Sequence, residues 1–393
     1  MSKILETPYG TRDFLPREAA AKRLIENKLA KLFSEFGYEE VVTPTMEFLE
    51  TLTNAGGLEI ESNLFKMFDQ NNRTLALHHE MTTPIARLVM SRLKNSPLPL
   101  KLSYNTSVFR FRKNQPDRQC EFYQAGVELL GVSNAFADAE IIALAAQSLK
   151  VAGLKDFIIC LGQVEFSNGL MEENNLSAAA ISEIKNFLEH HNIVELEKFV
   201  DALQLDKTAA DSLKKIPKLN GGIEILETAR TLAKNKKSLD ALKNLEEIYN
   251  FAEIYGVADK FIFDLGIIRD FEYYTGMVFE AYAPGVGYSL AGGGRYDNML
   301  KDFSAGVTCP ATGFALGIER ILQACERQGI SNDFQSKNIY IGYNEKNIGA
   351  AIKKASELRA EGKVVELSLT PQNFDAAKIS QAEKNYDELI YLK

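Results

Sequence analysis

The segment Asp264–Asp297, DLGIIRDFEYYTGMVFEAYAPGVGYSLAGGGRYD, holds within about one hairpin's length a strand-like alternation, a buried-looking arginine, paired tyrosines and a glycine run. Tyr273, Tyr274, Met277, Val278 and Phe279 are strand formers, Pro284, Gly285 and Gly287 punctuate a turn, and Tyr288–Ala291 reads as the returning strand. Gly292, Gly293 and Gly294 lack a Cβ, so the backbone there can approach a ligand closely. Arg269 stands at the entry of the first strand, where a guanidinium can fork onto a carboxylate or phosphate. Each part also has a plainer meaning: a Tyr-Tyr pair packs in cores, and a glycine triplet is commonly a loop. The meaning therefore has to come from what surrounds the segment.

Outward from it, the 393 residues allow two or three domains, and 46% hydrophobic with 25% charged residues is the balance of an ordinary globular chain. No apolar run is long enough to span a membrane and no leader is expected, so the expected location is the cytoplasm. Cys120, Cys160, Cys309 and Cys325 show no CxxC spacing and read as reduced thiols. With 45 Lys and Arg against 53 Asp and Glu, the chain has no general pull toward nucleic acid. Metal is not expected, because His78-His79 lacks a partner histidine four residues on, and no cofactor is implied.

Before the central segment, Arg17–Phe36 has helical periodicity and Tyr38–Thr43 is β-like up to Pro44. Leu64–Ala76 reads as a hairpin about DQNN, leading through LHHEMTTP to a helix near Pro84. Glu80, Thr82 and Thr83 thus lie between a strand and a helix, where a carboxylate can take an ammonium group. Ser107–Arg112 and Glu121–Leu130 form a long hairpin whose arginines, Arg110, Arg112 and Arg118, can face phosphates. On its return strand Phe122, Gln124, Gly126 and Glu128 share one face by period two. Asp138–Ala152 is an apolar helix closed by Gly153, and Phe157–Leu161 a short strand. Residues 165–256 read as a helical insert. After the central segment, Gly313 and Gly317 punctuate a strand, and a helix begins near Ile318 with Glu319 and Arg320 in its first turn. Residues 337–393 form a small α/β unit of three strands and two helices.

Six ordered segments, YGTRDFLP, VVTPTME, FRFRKNQPDRQCEFYQAGVELLG, IIRDFEYYTGMVFE, AGGGRYD and ATGFALGIER, resemble the class II aminoacyl-tRNA synthetase core. The resemblance is to histidyl-tRNA synthetase and the paralogous ATP phosphoribosyltransferase regulatory subunits, and it covers nearly the whole chain. It implies an α+β fold: an antiparallel sheet flanked by helices over residues 1–328, and a unit over 337–393 similar to a truncated anticodon-binding domain. It also implies a histidine site of Glu80, Thr82, Gln124, Glu128, Arg269, Tyr273, Tyr274 and Tyr296, and a nucleotide-like pocket of Arg110, Arg112, Arg118 and Arg320.

The departures cluster on the nucleotide side. The synthetase's FRxERP is here FRFRKN, so Arg112 replaces a glutamate; a later loop arginine is Cys120, RGLDYYTRT is RDFEYYTGM with Gly276 replacing an arginine, and LRPEGT is LHHEMT. The resemblance thus implies a non-catalytic histidine sensor in histidine biosynthesis. It would be a homodimer formed through VVTPTME that assembles with a short-form ATP phosphoribosyltransferase catalytic subunit and has no tRNA or membrane partner. Retained Arg110, Arg269 and Arg320 keep a second function in view, an active synthetase or amino-acid ligase.

Overall fold

The computed structural model describes residues 3–56, 58–111, 119–267, 273–303, 306, 308–330 and 337–393. These fall into two compact units, residues 1–13 with 25–330, and residues 14–24 with 331–393.

The first unit is built on a nine-stranded sheet. Its strands are β1 (Glu39–Glu40), β5 (Leu100–Phe109), β6 (Glu121–Leu130), β7 (Ile158–Gln163), β8 (Asn220–Gly221), β9 (Phe261–Asp264), β10 (Met277–Tyr282), β11 (Ala291–Arg295) and β12 (Ala311–Gly317), in the spatial order β1-β5-β6-β12-β11-β10-β7-β9-β8. All neighbours are antiparallel except β1 with β5 and β7 with β9. The expected antiparallel sheet flanked by helices is therefore present, with a parallel pair near each edge.

Alternation along the strands divides the sheet into two faces. Val127, Leu129, Phe279, Ala281, Phe314 and Leu316 point into the main core, with Ile25, Leu29 and Phe33 of helix α1 (Pro16–Glu35). Helix α4 (Ala135–Ala152) lies in this core. Ile141, Ile142, Ala143, Leu144, Ala145 and Ala146 are all fully buried, as expected for a helix apolar all round and covered on both sides. Asn134 caps it by accepting from Ala137 N at 2.8 Å, and Gly153, at φ 110°, closes it in a conformation that a side chain would disfavour. On the opposite face Leu102, Tyr104 and Val108 of β5 join a smaller cluster with Met81, Ile85 and Tyr296. That cluster lies beside helix α3 (Thr82–Leu88), which follows a three-stranded sheet of β2 (Met46–Phe48), β3 (Lys66–Phe68) and β4 (Thr74–Leu77), covered by α2 (Leu49–Gly56).

The helical stretch contains α5 (Val164–Glu173), α6 (Ala178–Glu189), α7 (Ile193–Ala202), α8 (Lys207–Lys215), α9 (Ile225–Arg230) and α10 (Lys236–Ile254). It shares the sheet's core: Phe166 and Leu170 of α5 and Leu242, Leu245 and Ile248 of α10 are buried in the same cluster as α4. Between α8 and α9 the stretch contains edge strand β8.

The central segment departs from its expected layout. Tyr288–Leu290 precede the returning strand, which is Ala291–Arg295, and Tyr273 and Tyr274 precede β10. The glycines are strand residues because two backbones meet there: a Cβ on Gly293 would lie 2.1 Å from Gly313 O and 2.7 Å from Phe314 Cα. Arg269 lies outside the described residues.

After β12 comes helix α11 (Ile318–Arg327). In the second unit β13 (Ile339–Tyr343), β14 (Val365–Leu367) and β15 (Glu388–Leu392) form a parallel sheet in the order β14-β13-β15. Helix α12 (Ile348–Ala360) packs Ala351, Ala355 and Leu358 on one face, and α13 (Phe374–Glu383) packs Ala377 against Tyr340 on the other. Among the described residues no helix is long and apolar enough to cross a membrane.

Candidate functional site

The face of the sheet that looks away from α4 carries the site. Cross-strand register puts Gly294, Gly313 and Glu128 in one row, and Gly292, Ala315, Gly126 and Tyr104 in the next. The glycines leave the space that polar side chains fill. A Cβ on Gly313 would stand 2.0 Å from Glu128 Oε2, one on Gly126 2.4 Å from the Tyr104 hydroxyl, and one on Gly294 2.9 Å from the Tyr274 ring.

Glu128 is the centre of this arrangement. It is 2% exposed; Thr82 Oγ1 donates to its Oε1 at 2.9 Å and the Tyr296 hydroxyl donates to its Oε2. Burial pushes its carboxyl up to about 8, against the pull of the Tyr296 and Thr82 hydroxyls and with the Glu80 charge adding to the rise. Tyr104 and Tyr296 are raised well above the usual phenol, first by burial and then by the Glu128 charge. Tyr273 packs against the same group, its ring tilted 4.8 Å from Tyr274 and edge-on 5.9 Å from Tyr296.

Glu80 serves a second purpose in the fold. Its carboxylate accepts from Thr82 N at 2.6 Å and Thr83 N at 3.0 Å, holding the first turn of α3 and so the Thr82 hydroxyl that reaches Glu128. Gln124, 9% exposed, has a side-chain carbonyl that accepts no hydrogen bond from any described residue. A buried acceptor of that kind costs free energy unless a ligand or water donates to it. Glu80, Thr82, Gln124, Glu128, Tyr273, Tyr274 and Tyr296 thus stand on adjoining elements around one face.

Behind this face, on the α4 side, Arg295 anchors the end of β11. It donates to Asp138 through Nη2 at 2.8 Å and Nε at 3.1 Å, and through Nη1 to Asp297 Oδ1 at 3.0 Å. Tyr296 N donates to Ala311 O at 2.8 Å, so the strand that carries the phenol is fixed on both sides. A side chain at Gly276, where the synthetase motif has an arginine, would begin 3.0 Å from Arg295 Cδ.

The nucleotide-like residues are arranged differently. Arg110 Nε donates to His79 O at 2.9 Å, and its guanidinium lies 5.2 Å over the Phe122 ring. Arg320 Nη1 donates to Ser289 O at 2.6 Å, and its guanidinium lies 5.0 Å over Tyr288. Glu319 accepts Tyr123 N on both oxygens at 3.0 Å, joining the start of α11 to β6. Arg112 and Arg118 lie outside the described residues. Beside this half, burial holds His79 down at about 4. Among the described residues no group of three or more His, Cys, Asp or Glu could hold a metal ion.

Sequence reasoning missed Tyr104, Gly313, Arg295 and Asp138. Tyr104 and Gly313 could have been found only from the register of β5 and β12 against β6. The Arg295–Asp138 pair joins residues 157 apart in sequence and leaves no local signal.

Comparison with known proteins accords with this fold. Residues 10–321 match the family model described as histidyl-tRNA synthetase. The chain is 42% identical over 365 residues to the ATP phosphoribosyltransferase regulatory subunit of Moorella thermoacetica, covering 92% of each chain. It is 38% identical to the subunit so named in Thermoanaerobacter pseudethanolicus, covering 98% of this chain and 99% of the relative. A solved Bacillus halodurans C structure described as an ATP phosphoribosyltransferase regulatory subunit/histidyl-tRNA synthetase is 33% identical and superposes with a TM-score of 0.88, covering 99% of both chains. On a class II histidyl-tRNA synthetase fold, and with relatives named as a regulatory rather than a catalytic subunit, the chain belongs to the ATP phosphoribosyltransferase regulatory subunit family.

Proposed function

We propose that the chain senses histidine for a short-form ATP phosphoribosyltransferase catalytic subunit, which it activates and through which histidine exerts feedback control of the first step of histidine biosynthesis. The observation that carries this reading is the buried Glu128 carboxyl on the same face of β6 as the Gln124 carbonyl, which accepts no hydrogen bond from any described residue. An amino acid with an ammonium group and an imidazole N–H supplies donors for both. Glu80, Thr82, Arg269, Tyr273, Tyr274 and Tyr296 complete the proposed histidine site. Feedback requires histidine to bind the active and inhibited complexes unequally.

Adenylation is not part of the proposal. Arg110 and Arg320 are directed at protein carbonyls and aromatic faces, and the motif departures at Arg112, Cys120 and Gly276 fall on the same half. We also propose a homodimer through VVTPTME, supported by exposed apolar residues on that strip and the neighbouring sheet, Val42 at 89% and Phe68 at 73%. The protein would work in the cytoplasm without tRNA.

The test is paired. Histidine-dependent pyrophosphate exchange into ATP is measured on the chain alone, and the transferase rate is measured on its complex with the catalytic subunit as histidine is raised. No exchange with a histidine-inhibited complex supports the proposal. Robust exchange would favour an active synthetase or ligase, and a complex indifferent to saturating histidine would remove the sensing role.

A further inference from the structure

The pairing of β10 with β11 changes character at Thr275. Its register sets Val278 opposite Gly294 and Ala281 opposite Ala291, which carried on would set Thr275 opposite Asp297. A regular antiparallel ladder would exchange backbone N–H and C=O groups there. Instead Thr275 N donates to Arg295 O at 2.8 Å, and Asp297 N donates at 2.9 Å to the Thr275 hydroxyl. One residue, through its backbone and its side chain, thus holds the two peptides on either side of Tyr296.

This clasp joins the aromatic residues of the site. Tyr273 and Tyr274 immediately precede Thr275, and Tyr274 lies over Gly294, where an added Cβ would stand 2.9 Å from its ring. The Tyr296 hydroxyl donates to the buried Glu128 carboxyl. On the side of β12, Tyr296 N donates to Ala311 O at 2.8 Å, and Asp297 Oδ1 accepts from Ala311 N and Arg295 Nη1, both at 3.0 Å. Among these groups the Thr275 hydroxyl can be removed with little change of shape and none of charge. Its loss leaves the Asp297 N–H without that acceptor, a cost a strand end avoids by shifting.

We infer that Thr275 is a positioning residue for the histidine site, fixing Tyr296 relative to Tyr273 and Tyr274 and so keeping the Tyr296 hydroxyl on Glu128. The inference rests on the proposed histidine reading for its ligand and on these hydrogen bonds for its geometry.

Histidine affinity is measured by calorimetry from pH 6 to 9 on the unaltered full chain, on Thr275→Val, which keeps the branched shape, and on Thr275→Ser, which keeps the oxygen. At pH 7 Thr275→Val should bind about tenfold more weakly, the scale of one lost hydrogen bond, and Thr275→Ser within about threefold of the unaltered chain. The pH profile separates positioning from a general loosening of the fold. Glu128 is faced by Glu80 and Thr82 at the start of α3, by Tyr104 of β5, by Tyr296, and at longer range by Tyr38. Of these the Tyr296 and Thr82 hydroxyls favour its ionised form, so withdrawal of Tyr296 raises the pH at which Glu128 ionises. The midpoint of affinity against pH should move up by about half a unit to one unit in Thr275→Val and stay in place in Thr275→Ser. The titration of histidine itself is common to all three chains. Unchanged affinity in Thr275→Val, weaker binding with an unmoved midpoint, or failure of serine to restore both overturns the inference. An unaltered chain that binds no histidine would sink the histidine reading instead, and the clasp is then decided without ligand. The peptide carrying Asp297 should exchange its amide hydrogens faster in Thr275→Val than in Thr275→Ser, and equal exchange overturns the clasp.

Discussion

The two halves of the candidate site differ in how their polar groups are satisfied. Around Glu128 the fold brings two hydroxyls to a buried carboxyl, and on the same face of β6 the Gln124 carbonyl has no donor among the described residues. Around Arg110 and Arg320 both cations already have a carbonyl and an aromatic face. The first half keeps a buried acceptor open among the described residues, whereas in the second the cations are already engaged. On the proposed function, one scaffold keeps one subsite and retires its neighbour by changing which side chains answer one another, with the sheet unaltered.

The largest expected effect comes from removing the charge at the centre of the first half. Glu128→Gln keeps the size and an acceptor but cannot pair with a cation; histidine affinity by calorimetry should fall roughly a hundredfold, the scale of a lost charge-assisted hydrogen bond. Wild-type affinity would refute the Glu128 subsite. Gly313→Ala should come next. Its methyl would stand 2.0 Å from Glu128 Oε2 and 2.5 Å from Val127 O, so binding should weaken more than tenfold and stability should drop by about 1–3 kcal/mol, read by thermal melting. An unshifted melting temperature would mean that the sheet gives way there freely.

Proton linkage sharpens the comparison further. With its carboxyl raised from 4.5 to about 8 in the folded state, Glu128 contributes stability that is fully present below about 4.5 and is lost as pH rises through 8. A cationic ligand needs the ionised form, so histidine binding near pH 7 should release up to about one proton. Affinity should then rise severalfold between pH 7 and 8. Calorimetry in two buffers of different ionisation enthalpy measures the release; zero release in the wild type would mean that the ligand leaves Glu128 protonated. The smallest effect is expected on the other half: Arg320→Ala should change histidine affinity less than about threefold, whereas a tenfold loss would show that the two halves act as one site.

Much of the first half was legible because period two is a local signal: Gln124, Gly126 and Glu128 fall on one face whatever lies beside them. The second unit was legible for the same reason, with three apolar runs separated by two helical ones. The glycine run is expected from sequence to let the backbone approach a ligand; in the fold, Gly293 lets β11 approach β12, a partner that only the sheet order reveals. Tyr104 went unnoticed in an ordinary strand, since its importance comes from Gly126 opposite. Neither the sheet order nor the Arg295–Asp138 pair could be read, because both join distant segments.

That sheet order also governs how the chain comes off the ribosome. β6 and β7 are consecutive strands, yet β12, β11 and β10 lie between them, and these are the last three to be synthesised. Until Gly317 has emerged, the nascent protein holds two separate half-sheets, each exposing a full-length edge and the apolar residues of a divided core. The helices from α5 to α10 are made during that interval, and the glycine-bearing strands then close the gap. The strands whose glycines make room for Glu128 and Tyr274 are thus also the ones that complete the sheet.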